Sequence, residues 1–205
     1  MFPSVSSSAE SSRPALTRRA WIDEARRVLV DKGVGEIKID ALARRLAVTR
    51  GSFYWHFAAR DDLLDALLDD WRDCALAPFA RVVAEVRGRP ERRLLAYFEV
   101  WLDTARYDPD HDAAVRDWAR GSAAVDAAVR AVDGARIAGL ATLFAELGCS
   151  AIEAEVRARI VYYHQVGYYA LRIAEPDDLR RRLLPTYFRV LTGVDMPADD
   201  DPHNC

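Results

Sequence analysis

A short segment near the N-terminus carries side chains suited to hydrogen bonding and ion pairing. Thr49 offers a hydroxyl and Arg50 a guanidinium, and three rings with polar tips follow at Tyr54, Trp55 and His56. An arginine can meet a guanine edge through two parallel hydrogen bonds, and polar-tipped rings can donate to phosphate oxygens. The chemistry on offer is therefore recognition of a polar, anionic surface.

Two short helices must position these side chains. Apolar spacing predicts one helix over residues 40–46 and a second over residues 50–56, joined by a tight turn. Their apolar residues bury one side of the pair, which leaves the other side of the second helix free to enter a major groove. Thr49 is placed as the N-cap of that helix, and Gly51 lets the backbone approach the bases. The pattern predicts a helix-turn-helix that binds double-stranded DNA.

Helical periodicity continues along the chain, without strand-like alternation. Gly and Pro residues separate the elements, and Pro78 is expected to kink or break the fourth helix. The predicted helices span residues 17–32, 40–46, 50–56, 60–86, 91–107, 109–120, 123–147, 151–174 and 177–191. We predict an all-α fold of about nine helices, with an N-terminal three-helix head on a C-terminal helical body.

Charge is distributed unevenly over the 205 residues. The formal net charge of the chain is −3, but residues 13–60 carry a net charge of +6 and the remainder −9. A basic head on an acidic body is typical of a regulator whose head alone binds the phosphates of DNA. A protein that coats DNA would instead be basic throughout.

Several classes of protein are disfavoured by what the sequence lacks. No apolar run is long enough to span a bilayer, and the Ser-rich start has no basic or apolar region of a secretory signal. The three cysteines show no paired spacing, which argues against a disulfide framework or a zinc site and fits a reducing cytoplasm. We therefore expect a cytoplasmic protein without a membrane partner.

An enzyme is the alternative from a different class. The four histidines form no metal-ligand spacing, and His111-Asp112 stands without the further ligands that a metal phosphohydrolase needs. A phosphate-binding loop, a Gly-rich dinucleotide turn and a nucleophile elbow are all missing. We expect no catalytic residue, no metal and no cofactor.

The helix-turn-helix segment closely resembles the TetR family of bacterial transcriptional regulators. The resemblance lies in Ala-Val-Thr-Arg-Gly-Ser-Phe-Tyr-Trp-His-Phe at 47–57, with Ile-Asp-Ala-Leu-Ala at 39–43 before it and Arg-Asp-Asp-Leu-Leu at 60–64 after it. It covers about residues 17–68. It implies a regulator, in its usual mode a repressor, that binds a palindromic operator as a homodimer and is released by a small-molecule effector.

The resemblance also implies roles for individual residues. Base contacts fall to Arg50, Gly51 and Ser52, with Tyr54 near bases or sugars, and phosphate contacts to Thr49, Trp55, His56 and Arg60. Arg45 precedes the recognition helix, so that it is expected near phosphate or in solvent. Two positions depart from the family pattern. Lys38 replaces a Thr or Ser and could touch phosphate as a cation. Ala47 replaces a Gly, and a left-handed Ala would cost about 1–2 kcal/mol.

The body is assigned to dimerisation and ligand binding. A single helix-turn-helix reads few base pairs, and the last two helices carry apolar stripes that would pair two copies, although such stripes are mostly core. The predicted dimer residues are Ile152, Val156, Ile160, Tyr163 and Gly167 on the first and Leu179, Leu183, Tyr187 and Leu191 on the second. With these roles the domains are a disordered arm at 1–14, the DNA-binding domain at 15–62, a ligand-binding and dimerisation domain at 63–194, and a disordered acidic tail at 195–205.

Large rings between the head and the dimer helices suggest an effector site. An aromatic cavity with a few polar groups is typical of small-molecule sites, so that an apolar or aromatic effector is expected. The preferred lining residues are Trp101, Trp118, Tyr162 and His164, followed by Tyr97, Phe144 and Tyr168. Plain core packing is the competing role for each ring, because aromatics dominate cores. The alternative function is a regulator that binds DNA independently of any ligand.

Overall fold

The computed structural model describes residues 17–173 and 175–198. Within these ranges the chain forms nine α-helices and a short 3₁₀ turn, Val34–Glu36, and no β-strand. The helices are α1 (Arg18–Lys32), α2 (Ile39–Arg45), α3 (Arg50–Phe53), α4 (Arg60–Glu85), α5 (Pro90–Leu102), α6 (Pro109–Ala119), α7 (Ala123–Glu146), α8 (Ala151–Ala170) and α9 (Asp177–Thr192). The predicted all-α fold is confirmed, whereas the predicted arm at 1–14 and the tail beyond residue 198 lie outside the described residues.

The helix ends follow from local sequence. The Thr17 hydroxyl accepts a hydrogen bond from the Ala20 amide at 3.3 Å and caps α1, whose first amides have no partner within the helix. Gly33 ends the same helix with φ 81°, a backbone conformation that L side chains rarely adopt. Ser122 and Ser150 cap α7 and α8 in the same way as Thr17.

Helices α4 and α5 differ from prediction. Helix α4 continues through Pro78 without the break that was one of the two expected outcomes, because a proline removes one helical hydrogen bond while apolar packing on both sides of it is retained. Helix α5 ends at Leu102 rather than at residue 107. The Asp103 carboxylate accepts from the Ala105 amide at 2.9 Å, and this local hydrogen bond competes with continued helix.

The interior consists of two apolar clusters. The first, called here the head cluster, joins the buried sides of α1, α2 and α3 to the first half of α4 and to residues of α6 and α7. The second, called the body cluster, joins the second half of α4 to α5, the second half of α7, α8 and Phe188 of α9. Helix α4 therefore belongs to both clusters and links the head to the body.

No helix among the described residues combines the length and the apolar character that crossing a bilayer requires.

Candidate functional site

Helices α2 and α3 form the predicted helix-turn-helix and rest on buried rings. Phe53 and Phe57 stack with ring centroids 5.3 Å apart, and Phe53 meets the edge of Trp21 on α1 at 5.3 Å. All three rings are buried. Such aromatic pairs stabilise the packing beyond their buried area, so that the angle of α3 on α1 is held by the side of α3 that faces inward.

The turn between the two helices passes through a left-handed residue. Ala47 has φ 55°, the conformation in which the family pattern has Gly. The backbone amides of Ala47 and Val48 both donate hydrogen bonds within the turn. Ala47 N–H donates to the Arg44 carbonyl at 3.2 Å and Val48 N–H to the Ala43 carbonyl at 3.0 Å. The turn geometry is therefore kept, and the alanine bears the steric cost of its Cβ.

Helix α3 is shorter than predicted, but its hydrogen-bonded turns continue. The regular helix ends at Phe53, and the amides of Tyr54 and Phe57 then donate to the carbonyls of Gly51 and Phe53 at 3.2 and 3.1 Å. Thr49 occupies the N-cap position as predicted, with an extended backbone, but its hydroxyl makes no capping bond. The Thr49 hydroxyl and the first amides of α3 are thus available to an anion.

The outer side of this segment presents the predicted contact residues. Trp55 is 87% exposed and Tyr54 half exposed, which is unusual for rings of this size. Arg50 donates to the Tyr54 hydroxyl at 3.3 Å and to the Asp40 carboxylate at 3.4 Å, so that the guanidinium is held over the start of α3. Gly51 is exposed beside them, and a Cβ added to it would meet the Thr49 hydroxyl at 3.6 Å.

Ser52 and His56 are partly buried at the edge of this surface. Lys38 is largely exposed and pairs with Glu36 at 3.2 Å, where it precedes α2 without a side-chain cap. Arg45 forms an ion pair with Glu24, a buried carboxylate of α1. Burial raises the pKa of Glu24, but hydrogen bonds from Arg45 and Arg27 outweigh this effect, so that the pKa is lowered overall. Arg45 thus ties α2 to α1.

Arg60 is placed differently from the implied phosphate contact. Its guanidinium donates to the backbone carbonyls of Ile37 at 2.6 Å and Val34 at 2.8 Å. It therefore holds the segment after α1 against the start of α4. Two of its donors are committed within the head, and this structural role is the one that the geometry supports.

The seven residues predicted to line one effector site lie in different surroundings in the structure. Four of them, Tyr97, Trp101, Phe144 and Tyr162, are buried in the body cluster. Trp101 packs against Tyr97 and Tyr162 with ring centroids 5.4 and 6.5 Å apart. His164 lies against Tyr187 of α9 at 5.3 Å.

The other two predicted lining residues share a cleft between head and body. Trp118 of α6 and Tyr168 of α8 line an open space of about 790 Å³ that reaches the end of α1 at Gly33. Tyr168 donates its hydroxyl to the Glu175 carboxylate at 3.1 Å, and Arg180 lies over its ring at 5.2 Å. This volume is in the range of small-molecule sites.

A second cleft, of about 530 Å³, was missed by sequence reasoning. It lies between α1, α4, α7 and the segment that joins α5 to α6, and the buried polar residues His111, Asp112 and Arg136 line it. One signal for it was present: Arg136 falls in the apolar stripe of α7, four residues after Val132 and four before Leu140. A charge inside a buried stripe indicates a polar cluster in the interior.

The outer side of α8 and α9 exposes apolar side chains. Ile152, Val156, Ile160 and Tyr163 follow one another along α8, and all are exposed. Gly167 continues this face, and a Cβ added there would meet nothing within 4 Å. On α9, Tyr187 is exposed and Leu179 and Leu183 are partly exposed.

Leu191 does not share this face, contrary to prediction. It packs against the body cluster, while Val190, which was not predicted, is 73% exposed. Steps of four residues drift around a helix of 3.6 residues per turn, by about 120° between positions 179 and 191. The stripe on α9 therefore continues through Val190.

Among the described residues, no group of three or more His, Cys, Asp or Glu side chains is arranged to hold a metal ion.

Comparisons with known proteins match the N-terminal segment by sequence. A model of the family described as bacterial regulatory proteins, tetR family, matches residues 22–67. The HTH-type transcriptional regulator SrpR of Pseudomonas putida is 44% identical over 52 residues, which are 25% of this chain and 24% of that protein. The chain thus matches about a quarter of the length of this curated relative.

Solved structures match nearly the whole chain by fold. A transcriptional regulator from Rhodococcus sp. Rha1 gives a TM-score of 0.66 at 23% identity, over 87% of this chain and 95% of that one. The ketosteroid transcriptional regulator KstR2 of Mycobacterium tuberculosis gives 0.66 at 15% identity, over 91% and 98%. At these identities the likeness concerns the arrangement of the helices.

Proposed function

We propose that this chain, which belongs to the TetR family of bacterial regulatory proteins, is a transcriptional regulator that binds an operator through α3. It acts as a homodimer on a palindromic site, in the repressing mode usual for the family, and a small molecule releases it. SrpR is itself a transcriptional regulator, and the matched segment contains the whole helix-turn-helix.

The observation that carries the proposal is that α3 and the turn after it have one buried side and one exposed side. Phe53 and Phe57 are buried, whereas Trp55 is almost fully exposed on the opposite side beside Arg50 and Tyr54. Tryptophan is highly buried on average, so that a ring exposed to this extent is a candidate contact residue. Its indole N–H can donate to a phosphate, while Arg50 is near enough to the start of the helix to reach base edges.

The test is selection of an operator from a random pool of DNA duplexes by the purified protein. We expect a palindromic consensus with half-sites about one helical turn apart. The Trp55→Ala variant should lose affinity for this operator, and the Leu102→Ala variant, which removes another exposed apolar side chain far from α3, should not. Failure to enrich any sequence would contradict the proposal.

Dimerisation is supported by the exposed apolar face of α8 and α9. Its residues span both helices from Ile152 to Val190, which is more contiguous apolar surface than scattered exposed side chains provide. The same face presented by a second copy would be self-complementary about a two-fold axis. The open space above Gly167 would allow the two helices to approach closely.

A ligand-independent regulator is the second candidate. It is favoured by the burial of Tyr97, Trp101, Phe144 and Tyr162 in the body cluster, where Trp101 packs against Tyr97 and Tyr162. Release by an effector is favoured by the two clefts that border α1, the smaller of which also borders α4. Operator binding that stays constant across a library of small molecules would support the ligand-independent candidate.

A further inference from the structure

A layer of buried polar side chains separates the two apolar clusters. It lies at the level of Pro78, because α4 contributes Ala75 to the head cluster and Phe79 to the body cluster. Its central charge is Arg136, which is 1% exposed and donates to Asp112 at 3.3 Å and to the Ala75 carbonyl at 3.1 Å. A charge at this depth is stable only when its hydrogen bonds are complete.

Several buried nitrogen atoms of this layer lack a hydrogen-bond partner in the described part of the protein. Within the described residues, Trp71 Nε1, His111 Nε2 and Arg136 Nη2 are buried and make no hydrogen bond of normal geometry. Trp71 and His111 are each 2% exposed. Burial lowers the pKa of His111 to about 4, so that the ring is neutral at pH 7 and can carry its proton on Nε2. Each unmet donor destabilises the free protein and favours a ligand that supplies an acceptor.

All three side chains line the cleft of about 530 Å³, which is large enough for a small molecule. Four arginines and three aspartates line it in total. Two of the aspartates are already occupied, because Asp108 accepts from the His111 amide at 3.0 Å and Asp112 from Arg116 at 2.9 Å. The lining is therefore rich in donors.

We propose that this cleft binds a small organic carboxylate with an aromatic or apolar body. The carboxylate accepts hydrogen bonds from Trp71, His111 and Arg136, and the body packs against Tyr107 and Pro78, which also line the cleft. The inference rests on the proposed function and deepens it, because it names the chemical class of the effector.

The donor set favours an anion over the other ligand classes. A carboxylate offers only acceptors to this site, and its hydrogen bonds to an arginine are charge-assisted. An ammonium group has only donors and could not accept a hydrogen bond from these side chains. A wholly apolar ligand would leave the three side-chain donors without an acceptor. The walls of the cleft belong to α1 and α4, which also carry the head, so that a ligand there contacts both parts of the molecule.

The experiment titrates the full chain, labelled with ¹⁵N in its five tryptophans, with benzoate, benzamide and benzylamine. The indole N–H signal of each tryptophan reports on its own surroundings, and the Trp71 signal is identified by its loss in the Trp71→Phe variant. We expect benzoate to move the Trp71 signal in a saturable way, benzamide to do so more weakly, and benzylamine to have no effect.

Calorimetry then measures benzoate binding to matched variants. Trp71→Phe and His111→Phe should each weaken it on the order of tenfold, the loss of one charge-assisted hydrogen bond. Trp21→Phe is the control, because the Trp21 indole is also buried without an acceptor but does not line the cleft. Retained signals of the remaining tryptophans show that each variant is folded.

The result that overturns the proposal is distinguishable from failure of the proposed function. Operator binding is measured separately, without benzoate, by fluorescence anisotropy. If the operator binds but benzoate does not move the Trp71 signal, or benzylamine moves it equally, the assignment of the cleft is wrong. If no operator is bound, the proposed function fails whatever the cleft binds.

Discussion

At the scale of single residues, Arg50 is oriented by weak contacts that can be exchanged. Its hydrogen bonds to Tyr54 and Asp40 are 3.3 and 3.4 Å long, slightly longer than usual for N–H···O bonds, and its side chain is 58% exposed. The Tyr54 hydrogen bond and the Asp40 charge raise the pKa of Arg50, so that it stays charged. A guanine edge could replace both contacts without moving the backbone.

Replacement of Arg50 by alanine tests this assignment. Arg50→Ala should cost about 1–3 kcal/mol in operator binding and relax sequence preference at the contacted position. Arg44→Ala, which removes an exposed cation from α2, is the control and should leave the preference unchanged. Binding of operator mutants by both variants is compared by gel shift. Intact selectivity in Arg50→Ala would show that α3 is placed in the wrong register.

His111 makes stability depend on pH. Burial first, and the nearby Arg26 charge second, lower its pKa from 6.5 to about 4, although the charges of Asp108, Asp70 and Asp112 oppose the shift. The unfolded chain therefore binds a proton between pH 6.5 and 4 that the folded chain does not. The stability that comes from this group is complete above pH 6.5 and is lost as the pH falls to about 4.

The expected loss over this window is on the order of 3 kcal/mol in the free energy of unfolding. Because the carboxylates also titrate there, the measurement is the difference between the wild type and His111→Phe in urea unfolding across the pH range. The wild type should lose more stability than the variant as the pH falls. Parallel pH profiles would contradict the shifted pKa.

At the scale of elements, the helix-turn-helix keeps its geometry despite the alanine in its turn. The hydrogen bonds that close the turn at Ala47 and Val48 are of normal length. The buried rings of Phe53 and Phe57 hold α3 from the other side. The packing of α3 therefore outweighs the local preference of Ala47 for a right-handed conformation.

Relief of this strain is measurable. Ala47→Gly should raise the free energy of unfolding by about 1 kcal/mol, because glycine adopts the left-handed conformation without a Cβ clash. The matched control is Ala41→Gly within α2, where the same change should lower stability by about 1 kcal/mol. Chemical denaturation gives both values. A loss of stability in both variants would show that the turn is not strained.

At the scale of the whole molecule, the basic head and the apolar face of α8 and α9 lie at different parts of the chain. Several head cations form ion pairs within the chain: Arg19 and Arg26 pair with Asp70 of α4, and Arg45 with Glu24. The +6 charge of residues 13–60 therefore also serves to join helices. A dimer would bring two such heads to one duplex, which a single head could grip only weakly.

The dimer is tested on the stripe of α8. The wild type should sediment at twice the chain mass of 23.0 kDa, and Ile160→Arg should shift it toward the monomer, because it places a charge at the centre of an apolar interface. Leu102→Arg, at an exposed apolar position of α5, is the control. A monomeric wild type at micromolar concentration would contradict the proposed assembly.

Local sequence was sufficient to predict most of the helices. Apolar periodicity and end signals such as Thr17 and Gly33 act over a single turn of chain, and they gave α1 its limits to within one residue. The order of side chains in residues 49–56 also predicted which rings would be buried and which exposed. These features depend only on neighbours in the chain, so that one sequence contains them.

Tertiary packing determined which partners the long polar side chains of the helices contact. Arg60 reaches carbonyls 23 and 26 residues earlier, and Arg136 reaches the carbonyl of Ala75 61 residues away. Periodicity indicates that a side is buried but not what it is buried against, because partners far apart in the chain leave no mark on local spacing. For this reason the sequence alone determined the helix-turn-helix and its exposed chemistry. Only the folded molecule placed Tyr97, Trp101, Phe144 and Tyr162 in the body cluster and left an open cleft beside Arg136.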